Sequence, residues 1–135
     1  MAGLALALAS FAVTMVMQPG ETLWHAIAAP AEDGAWAFSS IDGVDVSQAR
    51  YSLSIRWRRI EGFYNGCNSC GFSDDKPSGS EERMLTCTMQ WCPTTPRDAL
   101  ARRFMYGDPR MQVEGDRLTL TLPGHRAELI RKPRE

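Results

Sequence analysis

The sequence predicts an α+β domain, a mostly antiparallel, strongly curved sheet or open β-barrel with one packed helix over about residues 96–106. Three observations predict it. Tyr51, Leu53, Ile55 and Trp57 alternate with Ser52, Ser54, Arg56 and Arg58, the period of two expected of a strand with one buried and one wet face. Turn-forming groups, Asp42-Gly43, Glu114-Gly115-Asp116 and Pro123-Gly124-His125, divide the remaining apolar runs into short strands. A single stretch after the N-terminal region, Thr94–Gly107, has helical spacing and helical ends, and no regular strand–helix–strand alternation surrounds it.

Taken in order, the chain opens on Ala2–Met17, an apolar run interrupted only by Ser10 and Thr14 and ended by Gln18-Pro19-Gly20. At sixteen residues it is shorter than the roughly 20 a membrane span needs. It suits the core of a secretory signal, with Ala26-Ile27-Ala28 as a small-x-small cleavage site. The expected organisation is a signal peptide over 1–28, a linker over 29–34 and a domain over 35–132, placing the mature protein in the periplasm or outside the cell. The alternatives are a buried helix and an uncleaved membrane anchor over residues 2–17. Removing 1–28 leaves 107 of the 135 residues, with 15 basic and 15 acidic groups (16 less Glu21). Such a balance gives no basic excess for nucleic acid, so no nucleic-acid partner is expected.

The first strand is expected at Ala35–Ile41, where Trp36, Phe38 and Ser40 alternate with small residues, and Asp42-Gly43 turns it toward Val44 and Val46. The alternating strand at Tyr51 follows, with Arg56, Arg58 and Arg59 read as a solvated sheet face. Ile60–Tyr64 is a short strand leading into Tyr64–Phe72, a tight corner rich in turn residues. Asp74–Glu82 reads as an exposed loop and Met84–Thr88 as extended. In the helix, Thr95 is the N-cap, Pro96 takes the first position, and Asp98 lies near the positive end of the dipole. Leu100, Ala101, Phe104 and Met105 form its apolar stripe; Arg97, Arg102 and Arg103 lie off it, and Gly107 ends it. Met111–Val113, then Leu118, Leu120 and Leu122 facing inward, then Arg126–Arg131 complete the sheet.

All four cysteines fall in Tyr64–Phe72 and Leu85–Pro93, spaced Cys67-x2-Cys70 and Cys87-x4-Cys92. A disulfide framework, an all-cysteine zinc site and a redox-active Cys67/Cys70 pair compete. Four thiolates suit zinc, but the second spacing is looser than the usual x2, and an oxidising compartment favours disulfides. A redox pair belongs at a helix N-terminus, whereas Gly71 and an acidic, Pro-containing loop follow Cys70.

No nucleophile elbow, Walker loop, dinucleotide fingerprint or His-Glu-x-x-His run is present, so neither an enzyme nor a cofactor is expected. His25 falls in the leader, and His125 sits in a turn without an evident carboxylate or nucleophile partner. Asp74-Asp75 and Glu81-Glu82 lack the spacing of an EF-hand.

The order of these motifs resembles the META domain, the family of the heat-shock protein HslJ. The resemblance rests on Trp36 before Asp42-Gly43, the corner Asn65-Gly66-Cys67-Asn68, Thr88-x-x-x-Cys92, the short helix, and the closing strand Gly115-Asp116-Arg117-Leu118-Thr119-Leu120. It implies an exported or envelope-associated α+β domain without an established activity, and a bond between Cys67 and Cys92. Cys70 and Cys87 depart from the family pattern and keep zinc open. With Cys67–Cys92 as the outer pair, Cys70–Cys87 completes a nested set of the kind two antiparallel neighbours produce. Asn65, Gly66 and Asn68 are the structural corner, Asn68 being read as a turn former that bonds local backbone.

The function expected is a non-enzymatic envelope module that binds a partner protein or a small apolar ligand inside the curved sheet. Membrane contact would come only through an uncleaved N-terminus. Trp36, Phe38, Tyr51, Trp57, Phe63 and Trp91 are its large apolar residues, read first as core. The rivals are a thiol-disulfide oxidoreductase using Cys67/Cys70 and a zinc module.

Overall fold

The computed structural model describes residues 29–73 and 83–134. The proposed leader over 1–28 and the loop Asp74–Glu82 lie outside the described residues. Those described form one antiparallel sheet of nine strands and one α-helix, an α+β architecture. The strands are β1 (Gly34–Ile41), β2 (Val44–Asp45), β3 (Ser52–Arg56), β4 (Arg59–Tyr64), β5 (Ser69–Ser73), β6 (Met84–Cys87), β7 (Arg110–Glu114), β8 (Arg117–Leu122) and β9 (His125–Arg131). Helix α1 spans Pro96–Tyr106.

The spatial order is β6-β5-β4-β3-β1-β9-β8-β7, with β2 folded back on β1. β1 therefore lies at the centre, between an N-terminal meander on one side and a C-terminal meander on the other. The two edge strands, β6 and β7, are consecutive in sequence, and α1 joins them. β6 and β7 do not pair among the described residues, so the sheet is open rather than a closed barrel.

The helix forms where local chemistry favours it. Thr95 Oγ1 accepts from Asp98 N at 3.2 Å while Asp98 Oδ2 accepts from Thr95 N at 2.6 Å, a capping box closed by Asp in place of the usual Glu. Pro96 sits in the first turn, where a missing N–H costs nothing. Ala101, Phe104 and Met105 are buried against the sheet, and Phe104 packs edge-on to Phe38 at 6.5 Å. Tyr106 likewise meets Phe63 of β4 at 5.1 Å. One face of the sheet is thus filled by the helix and by Trp36, Leu53, Leu118, Leu120 and Leu129.

Two bulges explain where simple alternation fails. The β1–β9 register shifts between Phe38 and Ser40, so Ile41, three residues after Phe38, faces inward, and Ser40, where alternation put the next core position, does not. A second shift between Ser54 and Ile55 in the β3–β4 ladder lets Ile60 and Phe63 both be buried although three apart.

Trp57 corrects the reading of β3. It is 60 % exposed and does not continue the inward row of Tyr51, Leu53 and Ile55. Arg56 pairs with Arg59, which leaves Trp57 and Arg58 as a two-residue hairpin loop, both at positive φ (52° and 60°). Asp33 holds this loop by accepting from Trp57 N at 2.9 Å and Arg58 N at 3.1 Å. The stretch read as a linker is thereby fastened to the domain. Trp36 Nε1 donates to Glu32 O at 2.8 Å. The Arg131 guanidinium lies 4.2 Å over the Trp36 ring and donates to the carbonyls of Asp33 (2.8 Å) and Ala31 (2.9 Å).

A two-residue loop with φ > 0 at both positions favours Asn-Gly, and non-glycine residues there carry strain on the order of 1 kcal/mol each. Replacing Trp57-Arg58 by Asn-Gly keeps both N–H donors to Asp33. The double variant is expected to gain about 1 kcal/mol, a rise of about 4–8 °C in Tm for a domain of this size. Phe104→Ala in the same denaturation series is expected to lose about 3–5 kcal/mol. A lowered Tm in the Asn-Gly variant would contradict the loop assignment.

Candidate functional site: the disulfide-locked corner

The corner begins where β4 ends. Asn65 Oδ1 accepts from Cys67 N at 3.1 Å and Asn68 N at 2.8 Å, and Asn65 N donates to Asn68 O at 3.1 Å. This closed turn needs Gly66. Its φ is +90°, and a Cβ there would stand 2.9 Å from Ala49 O and 3.5 Å from the Tyr51 ring. After the corner the chain forms β5, which pairs Gly62 with Gly71, Phe63 with Cys70 and Tyr64 with Ser69. The sequence reading placed no strand here, because the turn residues on either side of Cys67 mask a five-residue strand with a glycine at its middle.

β6 pairs with β5 only as far as Cys87, which stands directly opposite Cys70. Beyond it, side chains replace the ladder. Thr88 N donates to Ser69 O at 2.9 Å and Thr88 Oγ1 accepts from Ser69 N at 3.1 Å. Asn68 does the rest. Its Oδ1 accepts from Gln90 N at 2.8 Å and from Thr88 Oγ1 at 3.0 Å, while its Nδ2 donates to Gln90 O at 3.0 Å. Both backbone groups of Gln90 are therefore held by one side-chain amide, as a neighbouring strand residue would hold them. Asn65 is the local turn former; Asn68 reaches across more than twenty residues, contrary to the local role read for it.

Cys67 is bonded to Cys92, with Cα atoms 6.3 Å apart, and Cys70 to Cys87, with Cα atoms 4.1 Å apart. All four sulfurs are thus held in two nested bonds. They do not form the Cys67–Cys70 pair a redox centre would need, and they are not thiolates for zinc. Two disulfides in a small β-rich domain are consistent with an exported or extracellular protein in an oxidising compartment. Among the described residues no helix is long and apolar enough to cross a membrane.

The segment so held presents its side chains outward. Met89 is 92 % and Trp91 89 % exposed, which corrects the reading of Trp91 as core. Strand parity running on from Leu85 and Cys87 would turn both inward, but the strand stops at Cys87. Trp91 borders an open cleft of about 630 Å³ between the corner and the start of α1, lined also by Gln48, Asn65, Gln90, Asp98 and Arg102.

The floor of this region carries its shifted titrations. The Tyr51 hydroxyl donates to Asp98 Oδ1. Burial, reinforced by that hydrogen bond to a carboxylate, pushes the Tyr51 hydroxyl up to about 12. Burial acts to raise the Asp98 carboxyl, but hydrogen bonds from Tyr51 and Thr95 and the nearby Arg102 outweigh it, and its pKa is lowered.

His125, at the opposite end of α1, was read without a carboxylate partner; the structure supplies one. Its Nδ1 lies 2.7 Å from Asp42 Oδ2 and its Nε2 3.4 Å from the Arg103 guanidinium. Arg126 N donates to Asp42 Oδ1 at 2.9 Å, and the His125 bond with this one lowers the Asp42 pKa.

No family model, curated protein or solved structure matches the chain.

Two outcomes are expected of this geometry. Asn68→Ala removes three hydrogen bonds to the 88–90 segment and should lower unfolding stability by about 2–3 kcal/mol at pH 7, read by urea denaturation. The second concerns alkaline pH. The folded pKa of Tyr51 lies above the ordinary tyrosine value of about 10, so its contribution is fully present below that pH and is lost as pH rises toward 12. The native protein should therefore lose on the order of 2 kcal/mol more than Tyr51→Phe between those limits. Equal losses in the two proteins would refute the burial of that hydroxyl.

Proposed function

We propose that this protein is an exported, non-enzymatic recognition domain of the META/HslJ-like type, and that it engages its partner through the corner around Trp91. The observation that carries this reading is a large aromatic side chain, 89 % exposed, on backbone that is nevertheless fixed from two sides. The Cys67–Cys92 bond anchors the residue after Trp91, and the Asn68 amide holds both backbone groups of the residue before it. An exposed tryptophan on a mobile loop would lose much of its binding free energy to ordering; one already fixed loses little. Tryptophan is also the side chain most often found to dominate an interface.

The inner face of the sheet, where an apolar ligand would lie, is filled by α1. Recognition therefore falls on the rim. The resemblance in motif order supports assignment to an envelope family, and the paired sulfurs support export. Because Cys67 and Cys70 are bonded to different partners, a dithiol reaction between them would first require both existing bonds to exchange.

The test is a titration of isotope-labelled, oxidised protein with three fractions of the cells that make it: detergent-solubilised envelope protein, cell-wall polymer, and lipid vesicles. Resonance shifts centred on residues 65–68 and 88–92, lost in Trp91→Ala at unchanged Tm, are expected from at least one fraction. The same protein should reduce insulin no faster than buffer. Its mature N-terminus, recovered from the envelope or medium, should begin near Ala29. Insulin turnover dependent on Cys67 and Cys70, or an intact cytosolic chain, would overturn the reading.

A further inference from the structure

The cleft beside Trp91 is specific enough in its chemistry to indicate a ligand class. It is open, so it does not enclose an apolar molecule as a lipid or cofactor pocket does. Its two charged lining groups compensate each other: Asp98 is occupied by Tyr51 and Thr95, and Arg102 lies close enough to lower its pKa. A free ion or an anionic headgroup therefore finds no net charge there. What remains is one flat indole, neutral amides, the Thr94 hydroxyl and the small apolar Ala49 and Pro93. The Gln48 amide and Asn65 Nδ2 make no hydrogen bond among the described residues, and the Gln90 side chain extends from a backbone whose own groups are already bonded. Primary amides both donate and accept, which matches hydroxyl groups, and an exposed indole face suits the C–H face of a pyranose ring. The volume, about 630 Å³, admits a short oligosaccharide.

Resting on the reading that this corner is the recognition surface, we propose that the cleft is a saccharide site. Trp91 stacks on one ring of a neutral glycan chain, and the amides of Gln48, Asn65 and Gln90 meet its hydroxyl or acetamido groups. Asn68 and the Cys67–Cys92 bond, which also border the cleft, position the indole. An exported domain meets such polymers in the wall or at the cell surface.

The probes are soluble chitotetraose and cellotetraose, titrated into the full oxidised protein and followed by amide resonances and calorimetry. Expected are shifts confined to residues 48, 65–68 and 90–94, and binding weakened about tenfold or more in Trp91→Ala, the loss typical of removing a dominant aromatic contact. Trp91→Tyr should retain most of the affinity. Gln90→Ala, which leaves the backbone bonds to Asn68 in place, should weaken binding at unchanged Tm. If neither glycan moves the corner while envelope protein or vesicles do, the saccharide assignment is overturned and the recognition surface stands. If glycan, protein and vesicle all leave it unmoved, both fall together. Glycan shifts that map elsewhere, or that survive Trp91→Ala, also overturn the assignment.

Discussion

The Tyr51 side chain touches three parts of this molecule at once: the central strand, the corner and the start of α1. Its ring packs edge-on to Phe38 at 6.1 Å, in the core of the central strand. Above the ring sits Gly66, whose missing Cβ lets the corner approach. Its hydroxyl donates to Asp98, the residue that also closes the helix cap. A buried phenol without a partner costs free energy, and a half-buried carboxylate without donors costs more. Each here satisfies the other. Tyr51 thus helps place both the N-terminal end of α1 and the corner against the sheet, and the cleft lies between them.

The corner also solves a problem of strand length. β6 is four residues long and lies at the edge, and the chain must leave it for the helix. Its next residues, 88–90, are exposed, and backbone groups of Thr88 and Gln90 are bonded without a ladder. Extending β5 backward is impossible, since Asn65–Asn68 already turns away. The Ser69 backbone and the Asn68 amide supply those bonds instead, and the nested disulfides hold the two segments in register. Closing loops of 17 and 25 residues, each bond contributes on the order of 3 kcal/mol by restricting the unfolded chain. That is a large share of the stability of so small a domain.

What was legible in the sequence was local. Helix α1 could be read nearly to the residue, since Thr95, Pro96, Asp98 and the stripe ending in Phe104 and Met105 all act within a turn or two. The two-residue turn at Asp42-Gly43 was equally plain, both residues having positive φ. The antiparallel sheet followed from such turns. Parity across a bulge was not legible: nothing in the spelling of Phe38-Ser39-Ser40-Ile41 says that the ladder skips a residue. Trp57 was assigned inward because the alternation of β3 runs on through it, while the loop is fixed by Asp33, more than twenty residues earlier. Asn68 was recognisable as a corner residue, but its partners Thr88 and Gln90 become neighbours only when the sheet forms. Trp91 misled for a related reason, as hydrophobicity alone does not say where a strand stops.

The Asp42–His125 pair shows how little a familiar arrangement decides without its third neighbour. A carboxylate on Nδ1 of an imidazole is also how hydrolases orient a general base. In such a site Nε2 faces a nucleophile. Here it faces the Arg103 guanidinium, which has only donors, so a neutral ring can accept there only at Nε2 and then donates from Nδ1 to Asp42. Asp42 meanwhile occupies the β1–β2 turn and accepts from Arg126 N, joining that turn to β9. Arg103 is in the last turn of α1, where a cation also suits the helix dipole. The pair therefore ties the C-terminal end of the helix to the central strand, as Tyr51 ties the N-terminal end. Both ends of α1 are therefore bonded to neighbouring elements of the sheet, and the cleft lies at its N-terminal end.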